Sequence, residues 1–172
     1  MVRVYLGLGS NLQPEENLRL GIRELSRRFS LKAVSPVYRN QAFGFEGEDF
    51  LNAVACVETD TEAEVIGSVL NEIHEIGGRE RSSPDFAART LDIDLLLYGD
   101  EIIPALRVPR ADILEYSFVL CPLADLAPDL AHPVTGRAIG RHWVEFDASS
   151  HPLARTTGAL GNPDAWGCGR RV

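Results

Sequence analysis

The clearest structural pattern in the sequence is Arg89-Thr90-Leu91-Asp92-Ile93-Asp94-Leu95-Leu96-Leu97-Tyr98-Gly99. Two aspartates alternate with aliphatic residues and lead into an unbroken apolar segment, which predicts a strand entering a core. Successive side chains on a strand point to opposite faces, so Asp92 and Asp94 share a face, with Cα atoms about 6–7 Å apart. Paired carboxylates suit Mg²⁺, which completes its shell with water and substrate phosphates. The alternative is a solvated strand end whose aspartates pair with arginines.

Three arginines precede this strand: Arg79, Arg81 and Arg89. Guanidinium groups bind phosphate oxygens in bidentate fashion and stay charged at any working pH. Together with the two aspartates they predict one half of a polyphosphate–Mg²⁺ site. The alternative, that the arginines only neutralise the aspartates, stays open because Lys32 is the single lysine and arginine supplies the rest of the positive side-chain charge.

Composition narrows the class of protein. The chain has 172 residues, enough for one domain with a real core, and its net charge of −8 argues against a general nucleic-acid binder. The N-terminus lacks a signal-peptide core, and no apolar run reaches the length of a membrane span. The cysteines are odd in number and widely spaced, which favours reduced thiols. We therefore expect a cytoplasmic enzyme with small-molecule partners, bound to neither nucleic acid nor membrane.

The order of periodic segments predicts an α+β fold. Expected strands cover residues 4–8, 32–38, 51–58 and 92–98, expected helices cover 14–29, 61–76 and 118–126, and 101–103 is expected to form a hairpin with the fourth strand. This order predicts a ferredoxin-like core, a mixed sheet with helices packed on it in α/β/α layers. We expect residues 1–146 to form the domain and residues 147–172 to be an extended or poorly ordered tail.

The common phosphate-binding loops find little support. A P-loop needs Gly-Lys-Ser/Thr, and Lys32 follows a leucine. Gly7-Leu8-Gly9-Ser10-Asn11 is similar to a dinucleotide-binding fingerprint, but Leu12 stands where its third glycine should be. The favoured alternative is a tight strand-to-helix turn capped by Ser10 or Asn11.

Several motifs occur in a characteristic order over roughly residues 3–135. They are Gly9-Ser10-Asn11-Leu12, Phe50-Leu51-Asn52-Ala53, Gly78-Arg79-Glu80-Arg81, Arg89 to Asp94, Val108-Pro109 and Phe118 to Leu123. The combination resembles the 6-hydroxymethyl-7,8-dihydropterin pyrophosphokinase family of folate biosynthesis. The resemblance implies a ferredoxin-like enzyme that transfers the terminal diphosphate of ATP to a pterin hydroxymethyl group and releases AMP. It also implies two Mg²⁺ ions, and we expect a monomer.

The resemblance assigns roles to individual residues. It makes Asp92 and Asp94 the metal ligands, and it places four residues in the catalytic machinery: Arg79, Arg89, Asp92 and Asp94. On the nucleotide side it implies Arg79, Arg81, Arg89, Leu95 and Arg110. On the pterin side it implies Phe43, Phe50, Asn52 and Phe118. A flat bicyclic ring needs an aromatic ring on each face and an amide at its edge, which agrees with the last set.

Departures from the family pattern concentrate on the nucleotide side. They are His74 for a glutamate, Phe86 for a tryptophan, Ala87-Ala88 for Gly-Pro or Ala-Pro, Pro109-Arg110-Ala111 where the family reads Pro-His, and Tyr116 at a basic position. Arg110 can replace the histidine as a phosphate donor with a fixed charge. Two alternatives follow: a non-catalytic or weakly active pterin- or nucleotide-binding paralogue, and another metal-dependent phosphotransferase or hydrolase. Loops 40–49 and 82–88 are expected to close over the substrates.

Overall fold

The computed structural model describes residues 1–41, 47–78, 91–158 and 160. Within these residues, the elements are β1 (Val2–Ser10), α1 (Pro14–Arg28), β2 (Ser30–Val34), β3 (Val37–Asn40), β4 (Phe50–Thr59), α2 (Ala63–Ile76), β5 (Asp92–Tyr98), α3 (Asp112–Glu115), α4 (Ser117–Leu126), α5 (Ile139–Glu145) and β6 (Ala154–Thr156). Among these elements, two helices separate the strands from β1 to β5, and three more helices and a short strand follow. The fold is therefore α+β, and β5 has the bounds that its apolar alternation predicts.

The strands form one sheet in the order β5-β1-β4-β3-β6, with β2 also paired to β4. Each of these pairings is antiparallel, so the expected mixed sheet is wrong. The reason lies in the two helical crossovers. Helix α1 connects β1 to β2, but β4 lies between those strands, and α2 connects β4 to β5 across β1. Among the described strands, those that run in the same direction are therefore never adjacent in the sheet.

Helices cover both faces of the sheet. On one face α1 and α2 pack through a buried cluster that includes Leu6 and Leu8 of β1. On the other face α4 packs against β4 and β3, and the cluster there includes Tyr5 of β1 and Val54 of β4. Alternate residues of β1 therefore pack into two different cores, one on each face of the sheet. Among the described elements, no helix combines the length and apolar character needed to span a membrane.

The turn between β1 and α1 lies where the sequence predicts it, but its capping differs. Gln13 is the N-cap residue, in the left-handed region with φ 42°, and makes no side-chain cap. The expected capping residues act elsewhere: the Ser10 hydroxyl donates to the Leu12 carbonyl at 3.0 Å, and the Asn11 amide donates to the Glu48 carbonyl at 3.4 Å. Both side chains stabilise the loop before the helix rather than its first turn.

The predicted strand over 32–38 is two strands, β2 and β3. Ser35 and Pro36 separate them, and the Ser35 hydroxyl accepts a hydrogen bond from the Val54 N–H at 2.9 Å. Proline has no N–H to donate to a sheet, which explains the interruption.

The expected hairpin of residues 101–103 with β5 is wrong. Ile103 instead forms an isolated bridge with Val108. The neighbour of β5 in this region is Arg110, whose N–H donates to the Leu96 carbonyl at 3.0 Å. This contact brings residue 110 beside the strand that carries the two aspartates. Helix α4 was expected to be the last helix, but α5 follows it.

Part of the segment after residue 146 contacts the body of the protein. Strand β6 pairs with β3, and the Thr156 hydroxyl donates to the Val37 carbonyl at 3.2 Å. Leu160 is buried in the core cluster beneath α1 and α2. Residues 161–172 lie outside the described residues, so the division of the chain at residue 146 stays a prediction.

A buried histidine organises the turn between α4 and α5. His132 Nδ1 accepts from the N–H groups of Val134 and Thr135 at 3.3 and 3.4 Å. The His142 ring lies 5.9 Å from the His132 ring. Burial lowers the pKa of His132, and the neighbouring imidazole lowers that pKa further. Both effects keep His132 neutral, as its acceptor role requires.

We predict that acidification destabilises this turn through His132. Its pKa is lower in the folded than in the unfolded chain, so the unfolded chain binds a proton first as the pH falls below about 6.5. Between pH 7 and pH 5, the free energy of unfolding of the wild type should therefore fall more than that of His132→Asn. Asparagine keeps a hydrogen-bond acceptor at this position but does not titrate. Urea denaturation measures this, and identical pH dependence in both proteins would contradict it.

Candidate active site

One row of paired residues runs across four strands of the sheet. Asp92 of β5 pairs with Gly9 of β1, Gly9 pairs with Asn52 of β4, and Asn52 pairs with Tyr38 of β3. Directly paired residues point to the same face, and neighbouring strands lie about 4.8 Å apart. The predicted metal ligand Asp92 and the predicted ring-binding Asn52 are thus on one face, with Cα atoms about 10 Å apart.

The other predicted residues of these strands join the same face. Asp94 pairs with Gly7, which pairs with Val54, a member of the cluster beneath α4. Phe50 lies two residues before Asn52 on β4, and alternation places both on this face. The sheet therefore brings together two pairs of residues that are about 40 positions apart in the sequence.

Glycine at position 9 keeps the surface between these residues open. A Cβ atom at Gly9 would lie 3.2 Å from Asn52 Oδ1, and no other described atom outside the neighbouring residues comes within 4 Å of it. At Gly7, by contrast, the Leu96 side chain lies at 3.4 Å. The open surface therefore begins at Gly9, with Asp92 on one side and the amide oxygen of Asn52 on the other.

The Asn52 side chain is oriented by a second asparagine. Asn52 is buried, and its amide nitrogen donates to Asn40 Oδ1 at 2.5 Å. This bond leaves the amide oxygen directed toward Gly9. Below them, the Tyr38 hydroxyl donates to Asp125 of α4, and burial together with this bond raises the pKa of Tyr38. Asn40 carries no signal in the sequence, because its role depends on the pairing of β3 with β4.

His74 supports the strand that carries the aspartates. Its side chain is buried, and Nε2 accepts from the Ile93 N–H at 2.8 Å. Because that nitrogen is an acceptor, the ring is neutral and its proton is assigned to Nδ1. Nε2 also lies 3.9 Å from Asp92 Oδ1. The histidine thus acts on the edge strand β5 between Asp92 and Asp94, where the Ile93 N–H needs a partner.

Arg110 lies beside the acidic pair. Its Nη1 is 3.4 Å from Asp94 Oδ1, and its Nε donates to Asp112 Oδ2 at 2.8 Å. Burial alone would lower the pKa of Arg110, but Asp94, Asp112 and Asp92 outweigh it and raise that pKa. The guanidinium is therefore a permanent positive charge on the same face as the predicted metal ligands.

Phe118 belongs to an aromatic cluster at the start of α4. Its half-buried ring stacks on Tyr116 at 5.0 Å and 20°, and the His151 ring stands edge-on to it at 6.2 Å. The Ser117 hydroxyl donates to the His151 carbonyl and ties the late segment to this helix. The sequence gives no signal for this role of His151, because the residue lies in a stretch without periodicity.

The structure does not bring every predicted residue to this face. Leu95 packs against the core cluster beneath α1 and α2, on the opposite face of β5 from Asp94. The remaining residues and loops lie outside the described residues: Phe43, Arg79, Arg81, Phe86, Arg89, residues 42–46 and residues 79–90. Their roles stay predictions.

The donor set fits a magnesium ion that shares its shell with a substrate. Within the described ranges, no cluster of three or more histidine, cysteine, aspartate or glutamate side chains is arranged to hold a metal. Asp92 and Asp94 supply two hard oxygen ligands on one face and are both half-buried. Mg²⁺ commonly binds through one or two carboxylates and takes water and phosphate oxygens as its other ligands.

Two carboxylates, a guanidinium and an amide oxygen lie on one face of the sheet, and these groups suit the binding of metal-coordinated phosphates. The family model of 7,8-dihydro-6-hydroxymethylpterin-pyrophosphokinase (HPPK) matches residues 5–128. The chain belongs to this family, which confirms the resemblance found in its motifs, and it is an enzyme, a diphosphotransferase.

Relatives at substantial identity support this placement. The chain is 38% identical over 153 residues to the 2-amino-4-hydroxy-6-hydroxymethyldihydropteridine pyrophosphokinase of Pseudomonas aeruginosa, covering 86% of this chain and 91% of the relative. The Haemophilus influenzae protein of the same name is 36% identical over 139 residues, covering 77% and 86%.

Solved structures show the same fold at low identity. The Plasmodium falciparum HPPK-DHPS wild type with pterin and p-hydroxybenzoate has a TM-score of 0.69 and 13% identity, covering 84% of this chain and 43% of that chain. This chain therefore spans less than half of that longer protein. The likeness supports the α+β architecture described above.

We predict that His74 stabilises β5 through its acceptor nitrogen. His74→Leu should lower the free energy of unfolding by about 1–3 kcal/mol more than His74→Gln, because leucine leaves the buried Ile93 N–H without this acceptor. Urea denaturation measures both variants. Equal stability of the leucine and glutamine variants would show that His74 acts through packing alone.

Proposed function

We propose that this enzyme transfers diphosphate from ATP to the hydroxymethyl group of 6-hydroxymethyl-7,8-dihydropterin, depends on Mg²⁺ and releases AMP in folate biosynthesis. The observation that carries the proposal is the shared face of Asp92, Asp94 and Asn52, with open space at Gly9 between them. The relatives from Pseudomonas aeruginosa and Haemophilus influenzae are 2-amino-4-hydroxy-6-hydroxymethyldihydropteridine pyrophosphokinases, which supports the substrate assignment.

The acidic pair is proposed to organise the phosphate end of the reaction. Asp92 and Asp94 would hold Mg²⁺, of which two ions are expected, and the bound metal neutralises charge on the phosphates. The pterin hydroxyl oxygen forms a bond to the β-phosphorus of ATP, and the bond from that phosphorus to the α,β-bridging oxygen breaks. The hydroxyl proton is lost, and AMP leaves. Such chemistry depends mainly on positioning and charge neutralisation.

The pterin is proposed to bind against an aromatic–amide wall formed by Phe50, Asn52 and Phe118. Phe50 and Phe118 would stack on the two faces of the ring, and Asn52 would meet its polar edge, with Phe43 as a further contact. The amide oxygen of Asn52 faces the open surface at Gly9, which supports a role as acceptor for a ring N–H. Tyr116 and His151 contact the Phe118 ring and so restrict its orientation.

The nucleotide is proposed to bind on the β5 side of this face. Arg79, Arg81, Arg89 and Arg110 remain the proposed contacts on this face, with Arg79 and Arg89 acting in catalysis, whereas the Leu95 side chain lies on the opposite face of β5. The position of the Arg110 guanidinium, 3.4 Å from Asp94, supports a place for it beside metal-bound phosphates.

The wider setting is proposed from the fold and composition. The strand order β5-β1-β4-β2 supports a ferredoxin-like description of the core. The net charge of −8 supports small-molecule partners rather than nucleic acid. We propose a monomer in the cytoplasm, with residues 1–146 as its catalytic domain.

Product analysis tests the proposed function. The protein is incubated with Mg·ATP and 6-hydroxymethyl-7,8-dihydropterin, and nucleotides and pterins are quantified by chromatography and mass spectrometry. We expect AMP and the pterin diphosphate in equal amounts. Formation of ADP would indicate another phosphotransferase, and the absence of product at saturating substrates would indicate a non-catalytic paralogue.

We predict that Asp92→Asn and Asp94→Asn each lower turnover by about two orders of magnitude or more, because the metal loses a charged ligand. The matched control is Asp100→Asn, an exposed aspartate in the turn after β5. The free energy of unfolding should change by about 1 kcal/mol or less in all three. Steady-state kinetics at limiting Mg²⁺ measures the turnover of each variant. Wild-type turnover in both Asp92→Asn and Asp94→Asn would show that the acidic pair has no part in the mechanism.

We predict that Phe118→Ala weakens pterin binding by about 1–3 kcal/mol through lost stacking and buried area. Nucleotide affinity should change little. The control is Phe146→Ala, whose ring stacks on Trp143 at 6.0 Å. Titration calorimetry measures both ligands, and equal losses for pterin and nucleotide would assign Phe118 to general packing.

A further inference from the structure

The Arg110 guanidinium joins two carboxylates on the predicted metal face. Its Nη1 lies 3.4 Å from Asp94 Oδ1, and its Nε donates to Asp112 Oδ2 at 2.8 Å. The side chains of Arg110, Asp94 and Asp112 are 32%, 36% and 32% exposed, so these charges are partly screened from water. The pair is consequently stronger than one on the open surface.

This pair places a positive charge where a metal ion would need to approach. Asp94 Oδ1 is one of the oxygens that a divalent cation would bind, and Arg110 contacts that same atom. Arginine does not lose its proton in proteins, so a change of pH cannot remove the charge. A metal ion at Asp94 must therefore either displace the guanidinium or bear its repulsion.

The backbone at Arg110 is fixed while its side chain has two attachment points. The Arg110 N–H donates to the Leu96 carbonyl at 3.0 Å, which holds the main chain against β5. Asp112 makes the shorter contact, through Nε, and Asp94 makes the longer one, through Nη1. Because the guanidinium is a rigid planar group, it must turn as a whole about the preceding side-chain bonds to release Asp94, with Asp112 on its Nε side.

We propose that Arg110 is an internal counter-ion that makes divalent-metal binding depend on nucleotide, with Asp112 as its positioning residue. Without nucleotide the guanidinium neutralises Asp94 and weakens metal binding. Phosphate oxygens then draw the guanidinium away, and the positive charge no longer opposes the binding at Asp94 of the metal that accompanies the nucleotide. The second step depends on the proposed function, which places ATP phosphates beside Asp94.

Metal titration without nucleotide tests the first step. Mn²⁺, as a probe for Mg²⁺, is titrated into the full-length protein and followed by calorimetry and by the electron paramagnetic resonance of free Mn²⁺. Arg110→Gln should bind Mn²⁺ about tenfold more tightly than the wild type, because a nearby positive charge is removed. The matched control Arg107→Gln removes an exposed charge three residues away and should bind like the wild type.

The same titration with a non-hydrolysable ATP analogue tests the second step. Here the sign should invert: Arg110→Gln should bind the Mn²⁺–analogue complex about tenfold more weakly than the wild type, because a phosphate contact is lost. Arg107→Gln should again match the wild type.

Asp112→Asn tests the positioning role. In the wild-type background it should weaken nucleotide-free Mn²⁺ binding, because Arg110 is left with Asp94. In the Arg110→Gln background its effect should be much smaller, since the residue through which it acts is gone. Equal effects in both backgrounds would assign Asp112 a direct effect on the metal and overturn this part.

The outcomes distinguish this inference from the proposed function. If Arg110→Gln binds Mn²⁺ without nucleotide no more tightly than the wild type does, the counter-ion role is overturned. The absence of Mn²⁺ binding in every variant would also overturn it. Failure of the analogue to bind any variant contradicts the proposed function and the second step, while the nucleotide-free comparison still decides the first step. Analogue binding that Arg110→Gln leaves unchanged overturns the second step alone.

Discussion

Two carboxylates, those of Asp92 and Asp94, lie at successive positions on the same face of the edge strand β5, and the rest of the site is arranged around them. Asp92 and Asp94 repel each other, and their strand has one side without a neighbouring strand among the described residues. His74 satisfies the Ile93 N–H on that side, and Arg110 compensates Asp94 from the next segment of chain. The surrounding elements thus hold two like charges on one face of the strand.

The parts of the fold with strong periodicity could be predicted from the sequence. Helix α1 begins at Pro14 and strand β5 covers Asp92–Tyr98, as the apolar patterns indicate. The shared face of Asp92 and Asp94 follows from alternation alone. The strand pairing could not be predicted in the same way. The expected mixed sheet and the hairpin at 101–103 were wrong because they depend on which strands become neighbours, and no local pattern encodes that choice.

The residues that complete the candidate site were beyond sequence analysis for the same reason. Asn40 orients Asn52 only because β3 pairs with β4, and His151 reaches Phe118 only because the late segment crosses to the start of α4. The departures from the family pattern gain a physical meaning in the structure. His74 is a neutral acceptor within the core, and Arg110 is a charged partner of Asp94, so both replacements act on one strand.

The central claim is that one sheet face binds the metal, the phosphates and the pterin together. A crystal structure of the protein with Mg²⁺, a non-hydrolysable ATP analogue and 6-hydroxymethyl-7,8-dihydropterin tests it most directly. The account predicts metal at Asp92 and Asp94, the pterin between Phe50 and Phe118, and Arg110 moved from Asp94 to a phosphate. Metal bound elsewhere, or a pterin on the face beneath α1 and α2, would contradict it.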